Sequence, residues 1–276
     1  MEYVFVNGVV TKKTEADISA FLWDNPFAIS QKVWFGYGDI PLLQENILSL
    51  NEQLATLGID LPPFFEDHRE LFRLCKRMLN KNRFFRSGHL NIQIFASESK
   101  TNCLITAKNA DNFDFPISQE GSLIHFSEFR KDSGSPLQRF ACYNREIWEA
   151  AKNEIKNAPF NTSVILNEKG FICEGINANI FILKDNILLT PSPETGCYTD
   201  IIKDVIFSLS AQLKLNLAQS DEIPKEILSV ADEVFLVSEA GGIQWVLGLD
   251  KKRYIRSFSL ELHEKINQFL KERTNG

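Results

Sequence analysis

The stretch between residues 163 and 189 constrains the fold more than any other part of the chain. It contains short apolar runs at 163–166, 171–173, 180–183 and 187–189, with turn-forming residues at 167–170 and 184–186. Runs of this length, separated by Asn, Asp, Gly and Lys, are typical of β-strands joined as hairpins. Asn7-Gly8 between Tyr3–Val6 and Val9-Val10 predicts another hairpin, because this dipeptide adopts the positive φ angles of a type I′ turn.

Helices are predicted beside these strands wherever apolar residues recur at helical spacing. The predicted helices run over 44–57, from Asp67 onward, over 139–156, from Thr199 onward and over 258–270. Further strands are predicted at 33–35, 90–94, 234–237 and 243–247. Helices grouped beside hairpin-linked strands indicate an α+β fold.

A polar segment from Lys108 to Gly121 interrupts this pattern and indicates a domain boundary. The chain has 276 residues, which is enough for two domains with their own cores. We therefore expect an N-terminal α+β domain over 1–115, an interdomain loop over 116–125 and a C-terminal domain over 126–276.

Charge, cysteine content and hydropathy exclude several classes of protein. The net charge of −6 argues against nucleic acid as a partner, because such proteins need a basic face. No apolar run is long enough to span a membrane and no secretory signal is visible, so we expect a cytoplasmic protein. The five cysteines include no C-x-x-C pair and the four histidines are scattered, so neither a disulfide framework nor a metal site is expected.

Common catalytic motifs are absent from the sequence. There is no phosphate-binding loop G-x-x-x-x-G-K-[ST], no dinucleotide motif G-x-G-x-x-G after a strand, and no nucleophile elbow G-x-S-x-G. Composition and general motifs alone thus give a two-domain α+β protein without an assigned chemistry.

A longer segment is more specific. The run from Val164 to Phe181 is VILNEKGFICEGINANIF, and Leu189-Thr190-Pro191 follows it. It resembles the pattern L-x-x-x-G-x-[VI]-x-E-x-x-x-x-N-[IL]-F, followed by [TS]-P, of the class IV aminotransferases. These are the fold-type IV pyridoxal-phosphate (PLP) enzymes, which include branched-chain aminotransferase, D-amino-acid aminotransferase and 4-amino-4-deoxychorismate lyase. The resemblance implies a two-domain D-amino-acid aminotransferase-like fold, a C-terminal domain with a β-barrel-like core, and a homodimer.

The resemblance also implies the positions of a cofactor site. Glu174 matches the carboxylate that faces the pyridine nitrogen. The residues that would hold PLP or another anion are Glu174, Asn179, Ile201, Ile202 and Lys203. Several phosphate-binding positions depart from the family pattern: Ser49 stands for an Arg, Asp200 for a Gly, Lys203 for an Arg and Glu239 for a Thr or Asn. The early family motif G-D-G-x-F-E-T is only faintly matched by residues 24–30.

The catalytic lysine of the family is missing. The family pattern P-L-x-R-F-K-T-x-N matches Pro136–Asn144, which is PLQRFACYN, so Ala141 stands at the Schiff-base lysine position. Lys131 or Lys203 could supply another amine. Cys142 could be a nucleophile, although no histidine adjoins it and an inert thiol is the simpler interpretation.

These departures predict a degenerate member of the family. We expect Schiff-base chemistry to be lost, no cofactor to be used, Glu174 to have no partner left, and a small anionic ligand to be possible in the former PLP cleft. One alternative is an active PLP-dependent aminotransferase or 4-amino-4-deoxychorismate lyase that uses a non-standard lysine. Another is a purely structural dimer or heteromer partner.

Overall fold

The computed structural model describes residues 2–16, 27–96 and 101–274. These residues form two compact units. The first contains the described residues up to Phe115 together with those from Phe269 onward, and the second spans Pro116–Gln268.

The first unit packs helices on one antiparallel sheet. Its elements are β1 (Tyr3–Val6), β2 (Val9–Lys12), β3 (Phe27–Phe35), α1 (Leu43–Thr56), α2 (His68–Asn82), β4 (Gly88–Ala96) and β5 (Thr101–Asn109). The strand order is β2-β1-β5-β4-β3. Alternation along β4 buries Leu90, Ile92 and Ile94 in one core with Leu50 of α1 and Met78 of α2, because alternate residues of a strand share a face.

Local signals set the ends of these elements as predicted. Asn7 and Gly8 have φ angles of 47° and 91° and close the β1–β2 hairpin. Gly58 has a φ of 67° just after α1, where a left-handed residue ends a helix without steric cost. Asp67 caps α2, since its side chain accepts a hydrogen bond from the Glu70 N–H at 2.9 Å.

The second unit is built on a larger mixed sheet. Its strands are β6 (Ser122–Lys131), β7 (Thr162–Asn167), β8 (Ile172–Gly175), β9 (Asn179–Lys184), β10 (Ile187–Pro191), β11 (Asn216–Ser220), β12 (Glu233–Ser238), β13 (Gly242–Leu249) and β14 (Lys252–Arg253). Its helices are α3 (Arg145–Ile155), α4 (Ile201–Leu213), α5 (Ile227–Val230) and the first part of α6 (Phe258–Thr274). The strand order is β11-β10-β9-β12-β13-β6-β7-β8, and β14 pairs with β13. Helices combined with one antiparallel and one mixed sheet confirm the predicted α+β class.

The predicted hairpins at 163–189 form, but some boundaries differ. Strand β6 begins at Ser122, within the stretch 116–125 that was expected to be a loop. Strand β5 continues to Asn109, into the segment interpreted as a connection. Helix α4 begins at Ile201 rather than Thr199, because Asp200 has extended φ and ψ angles of −136° and 172°. The domain limits themselves stay a prediction.

No helix within the described ranges combines the length and the apolar character needed to cross a bilayer.

A buried carboxylate anchors the start of α6. Glu233 of β12 is 3% exposed, and its oxygens accept hydrogen bonds from the backbone N–H groups of Ser257 at 3.0 Å, Phe258 at 2.6 Å and Ser259 at 2.9 Å. The first N–H groups of a helix have no intrahelical acceptor, and an anion there also complements the helix dipole. Glu233 therefore ties the last helix to the central strand β12.

We predict that Glu233→Ala lowers the free energy of unfolding by about 3 kcal/mol, because buried N–H donors lose a charged acceptor. Chemical denaturation followed by circular dichroism measures the change. Glu226→Ala is the control, since Glu226 is an exposed glutamate of the same unit. Equal stability of the two variants would contradict the assigned role.

Candidate functional site

Glu174 lies at the centre of the candidate site. It belongs to β8, is fully buried, and pairs with Ile165 of β7. The β7–β8 register shifts between this pair and the Leu166–Ile172 pair. Such an irregularity turns the strand, so Ile172 packs in the main core of the unit whereas Glu174 contacts the separate cluster around Trp148.

The Glu174 carboxylate accepts hydrogen bonds from several donors. Lys131 Nζ lies 2.7 Å from Oε2, Trp148 Nε1 lies 2.7 Å from Oε1, and the Tyr198 backbone N–H also donates to Oε2. The expectation that Glu174 would have no partner left is therefore wrong. The physical reason is that a buried carboxylate is costly unless it is paired and hydrogen-bonded.

Lys131 and Glu174 form a fully buried ion pair. Lys131, the last residue of β6, also donates to the Gln138 carbonyl oxygen at 2.9 Å. Its amine therefore has two acceptors, in a place where removal of either charge would leave the other uncompensated.

The segment around Ala141 is not the continuous helix that was predicted for 139–156. Short 3₁₀ turns span Pro136–Arg139 and Ala141–Asn144, and α3 begins only at Arg145. The break occurs at Phe140, which has extended angles, and Asn144 stabilises it by donating to the Gln138 and Phe140 carbonyl oxygens at 2.6 and 2.9 Å.

Ala141 packs against an apolar cluster beside Glu174. The buried members of this cluster are Trp148, Ala151, Ile165 and Tyr198. The Trp148 and Tyr198 rings meet edge to face, with centroids 5.3 Å apart. At the position that matches the family's lysine, the chain therefore has only a methyl group, which contacts apolar side chains.

The neighbouring thiol supports the inert interpretation. Burial raises the pKa of Cys142 to about 11, so the thiolate that would act as a nucleophile is scarce at neutral pH. The Arg139 guanidinium lies over the Phe140 ring, 4.6 Å from its centroid.

Asp200 forms a second polar centre at the start of α4. Its carboxylate accepts from Asn179 Nδ2 at 2.8 Å, from the Glu239 backbone N–H at 2.8 Å and from the Tyr198 hydroxyl at 3.1 Å. Burial raises the pKa of Asp200 to about 6, and these hydrogen bonds oppose that rise. Because Tyr198 contacts both carboxylates, it links Asp200 to Glu174.

The remaining predicted anion-binding residues lie in the first turn of α4. Ile201 and Ile202 are the first residues of α4. Lys203 is buried, but its Nζ donates to the Pro191 carbonyl oxygen at 2.6 Å and lies 3.8 Å from Cys197 Sγ. Thr190 Oγ1 donates to the Ile180 carbonyl oxygen at 2.8 Å.

Some parts of the site were missed by the sequence reasoning, and one lies outside the structure. Trp148 could have been found, because it follows the inward-facing helical spacing of Ala151 and Ile155. Tyr198 carries no such pattern, since it lies in a loop and contacts Glu174 through its backbone N–H and Asp200 through its hydroxyl. Residues 24–26, which begin the faint early motif, lie outside the described residues.

Comparison with known proteins places this arrangement in context. The family model described as "Amino-transferase class IV" matches residues 33–247. A curated relative, a probable branched-chain-amino-acid aminotransferase of Aquifex aeolicus, is 29% identical over 45% of this chain. That match covers 40% of the relative, so the chain spans well under two thirds of its length.

Solved structures share the fold. A branched-chain aminotransferase from Thermoproteus uzoniensis with norvaline superposes with a TM-score of 0.83 at 20% identity, covering 99% of this chain and 95% of that chain. The PLP form of a branched-chain amino acid aminotransferase from Thermobaculum terrenum gives a TM-score of 0.81 at 16% identity, covering 99% and 94%. These matches confirm the predicted fold-type IV architecture.

The comparisons contradict the expectation that no cofactor is used. The family is that of the aminotransferases, and one of the matching structures is a PLP form. The earlier expectation rested on Ala141 and on altered phosphate positions, but loss of a covalent anchor does not remove the other contacts that can hold a cofactor.

We predict that Lys131→Met lowers the free energy of unfolding by about 3–5 kcal/mol, because it leaves the buried Glu174 carboxylate without its counter-charge. Urea denaturation measures the loss. Lys152→Met is the matched control, since Lys152 pairs with Glu149 at the surface. The double variant Lys131→Met with Glu174→Gln should recover much of the lost stability; no recovery would refute the coupling.

A second prediction concerns pH. The pKa of Asp200 rises from 3.8 to about 6 on folding, so between these values the folded chain binds a proton that the unfolded chain releases. The contribution of Asp200 to stability therefore falls as pH rises through this window, by at most about 3 kcal/mol. Asp200→Asn should remove this dependence.

The measurement is urea denaturation of wild type and Asp200→Asn at several pH values, read as the difference between the two proteins. His89, whose pKa is lowered to about 4 chiefly by burial, has the opposite effect, but it is common to both proteins and cancels. Asp204→Asn, on the exposed side of α4, should keep the wild-type slope. A difference that does not vary with pH would contradict the prediction.

Proposed function

The chain belongs to the class IV aminotransferase family, and we propose on that basis that it binds PLP beside Glu174 without a covalent link to a lysine. The observation that carries this proposal is the engagement of both candidate amines. Lys131 forms an ion pair with Glu174, and Lys203 donates a hydrogen bond to the Pro191 carbonyl oxygen. Ala141 has no amine to offer.

The ring end of the site fits the cofactor. A pyridine nitrogen needs a carboxylate partner, and Glu174 is a buried carboxylate whose orientation is fixed by Trp148 and Lys131. At the phosphate end, the backbone N–H groups of Ile201 and Ile202 would favour an anion, because helix N-termini do, but the Asp200 carboxylate already stands directly before Ile201.

The altered residues bear on turnover. When bound, PLP supplies an electron sink for reactions at an amino-acid carbon. Turnover also needs a basic group that takes and returns a proton at that carbon. The Ala141 methyl group can neither accept nor return this proton. We therefore propose a degenerate, branched-chain-aminotransferase-like homologue that binds PLP or a small anionic ligand without the usual amino transfer.

A second candidate function is an active aminotransferase or 4-amino-4-deoxychorismate lyase. The observation in its favour is that Lys131 Nζ contacts the very carboxylate that would face the ring nitrogen, at 2.7 Å. This amine would have to leave Glu174 before it could handle a proton at a substrate, and the buried pair makes that departure costly.

Oligomerisation and location belong to the same proposal. We propose a homodimer in the cytoplasm, as expected from the family resemblance and the sequence. Light scattering of the purified chain tests the dimer, and a strict monomer at all concentrations would refute it.

We predict that the wild-type chain shows a change in PLP absorbance on titration but yields no lysine adduct after borohydride reduction and peptide mass spectrometry. Ala141→Lys should gain an adduct at residue 141, because the restored amine reaches the same site. Ala141→Met is the matched control, with similar length and no amine.

Glu174→Gln with Lys131→Met, which removes both charges, should weaken PLP binding about tenfold or more, the loss of a charge-assisted contact. An adduct on Lys131 in the wild type would favour the active enzyme over the degenerate one. No absorbance change with any variant would contradict PLP binding at this site.

A further inference from the structure

The donors that surround Asp200 form a small anion seat. We define the anion seat as Asn179 Nδ2, the Tyr198 hydroxyl and the Glu239 backbone N–H, all of which donate to the Asp200 carboxylate at 2.8–3.1 Å. Each of these residues is at least nine-tenths buried. The seat therefore lies inside the second unit.

The start of α4 adds to the preference for an anion. The first N–H groups of a helix have no intrahelical acceptor, and the positive end of the helix dipole lies there. Asp200 immediately precedes the first residue, Ile201. The chain thus places its own carboxylate at a position where a helix attracts negative charge.

Among the described residues, no lysine ammonium is hydrogen-bonded to the Asp200 carboxylate. Lys203, on the first turn of α4, directs Nζ to the Pro191 carbonyl oxygen, 2.6 Å away. The side chain of Glu239 is itself 1% exposed and acidic. An additional anion at the seat would therefore meet nearby negative charge.

Asn179 supplies an independent observation. Its Nδ2 donates to Asp200, whereas its Oδ1 is buried and has no hydrogen-bond partner in the described part of the chain. A buried acceptor of this kind suits a hydroxyl or ammonium group of a ligand. It opposes a phosphate oxygen, which is also an acceptor.

We propose that Asp200 occupies the seat that a ligand's phosphate would otherwise take, and so determines how the site selects between phosphorylated and unphosphorylated ligands. A donor that is committed to Asp200 cannot serve a phosphate at the same time. The part of the inference that concerns PLP rests on the proposed function; the part that concerns phosphate itself does not.

Protonation of the Asp200 carboxylate should weaken its competition with phosphate for the donors of the anion seat. The charged or titratable groups near Asp200 are Tyr198 and Glu174 on one side, Lys203 on α4 and Glu239 after β12. Burial raises the pKa of Asp200 to about 6. Phosphate also titrates in this range, so the comparison is made with Asp200→Asn: below that pH the phosphate affinity of the wild type should approach that of the variant, and at neutral pH it should be weaker.

The first experiment uses inorganic phosphate as the probe, with chloride at equal ionic strength as reference. At neutral pH, phosphate should raise the melting temperature of Asp200→Gly by about 2–4 °C and leave the wild type and Asp204→Asn unchanged. Asp200→Asn, which keeps an oxygen for the Glu239 N–H, should respond in the same direction and decides the matter if the glycine variant does not fold. Equal responses of wild type and both Asp200 variants would overturn the proposal.

The second experiment compares pyridoxal with PLP by fluorescence titration. In the wild type the two should bind within about threefold of each other, whereas in Asp200→Gly PLP should bind about tenfold more tightly than pyridoxal. A large preference for PLP in the wild type, unchanged by the substitution, would overturn the proposal.

The two experiments separate the inference from the proposed function. If neither pyridoxal nor PLP binds any variant while phosphate stabilises only the Asp200 variants, the proposed function fails and the role of Asp200 stands. If both ligands bind and no Asp200 variant alters either their ratio or the response to phosphate, the role of Asp200 fails alone.

Discussion

The buried Glu174 carboxylate is the interaction on which the rest of the candidate site depends. A fully desolvated carboxylate is tolerated only with a counter-charge and hydrogen-bond donors, and Lys131, Trp148 and the Tyr198 N–H supply them. These partners come from β6, α3 and the loop before α4. The hydrogen bonds of this one side chain thus hold three chain segments together. The Tyr198 hydroxyl, which donates to Asp200, connects them to the second polar centre.

Local sequence signals predicted much of the fold because they act over a few residues. The hairpin at Asn7-Gly8, the stop at Gly58 and the cap at Asp67 each follow from the backbone preferences of one or two residues. Strands β5 and β6 were missed because their pattern is mixed, with Lys108 and Arg130 among apolar residues. The helix was wrongly predicted to start at Arg139 because the prediction used apolar periodicity alone. Periodicity does not show that the Asn144 side chain donates hydrogen bonds to the carbonyl oxygens of Gln138 and Phe140.

The site was predicted only in part, for a related reason. The resemblance to the class IV family indicated Glu174, Asn179 and the start of α4 as positions of the cofactor site. It did not indicate which residues contact one another. Lys131 lies 43 positions from Glu174, and Glu239 lies 39 positions from Asp200. Contacts at such separation depend on how the strands pair, which no local pattern states. The expectation that no cofactor takes part failed for another reason: it was inferred from single positions, and the family match and a related structure in its PLP form contradict it.

The presence of Glu174 does not by itself argue for turnover. In this chain the carboxylate neutralises Lys131, orients the Trp148 indole and caps the Tyr198 N–H, so its loss would leave a buried ammonium and unsatisfied donors whether or not any reaction takes place. The position at 141 has no such structural tie, because an alanine packs against the apolar cluster without a polar partner. Structural dependence can therefore keep Glu174 in place while the lysine position is free to change. A site can thus retain the carboxylate that suits a cofactor without retaining the amine that would react with it.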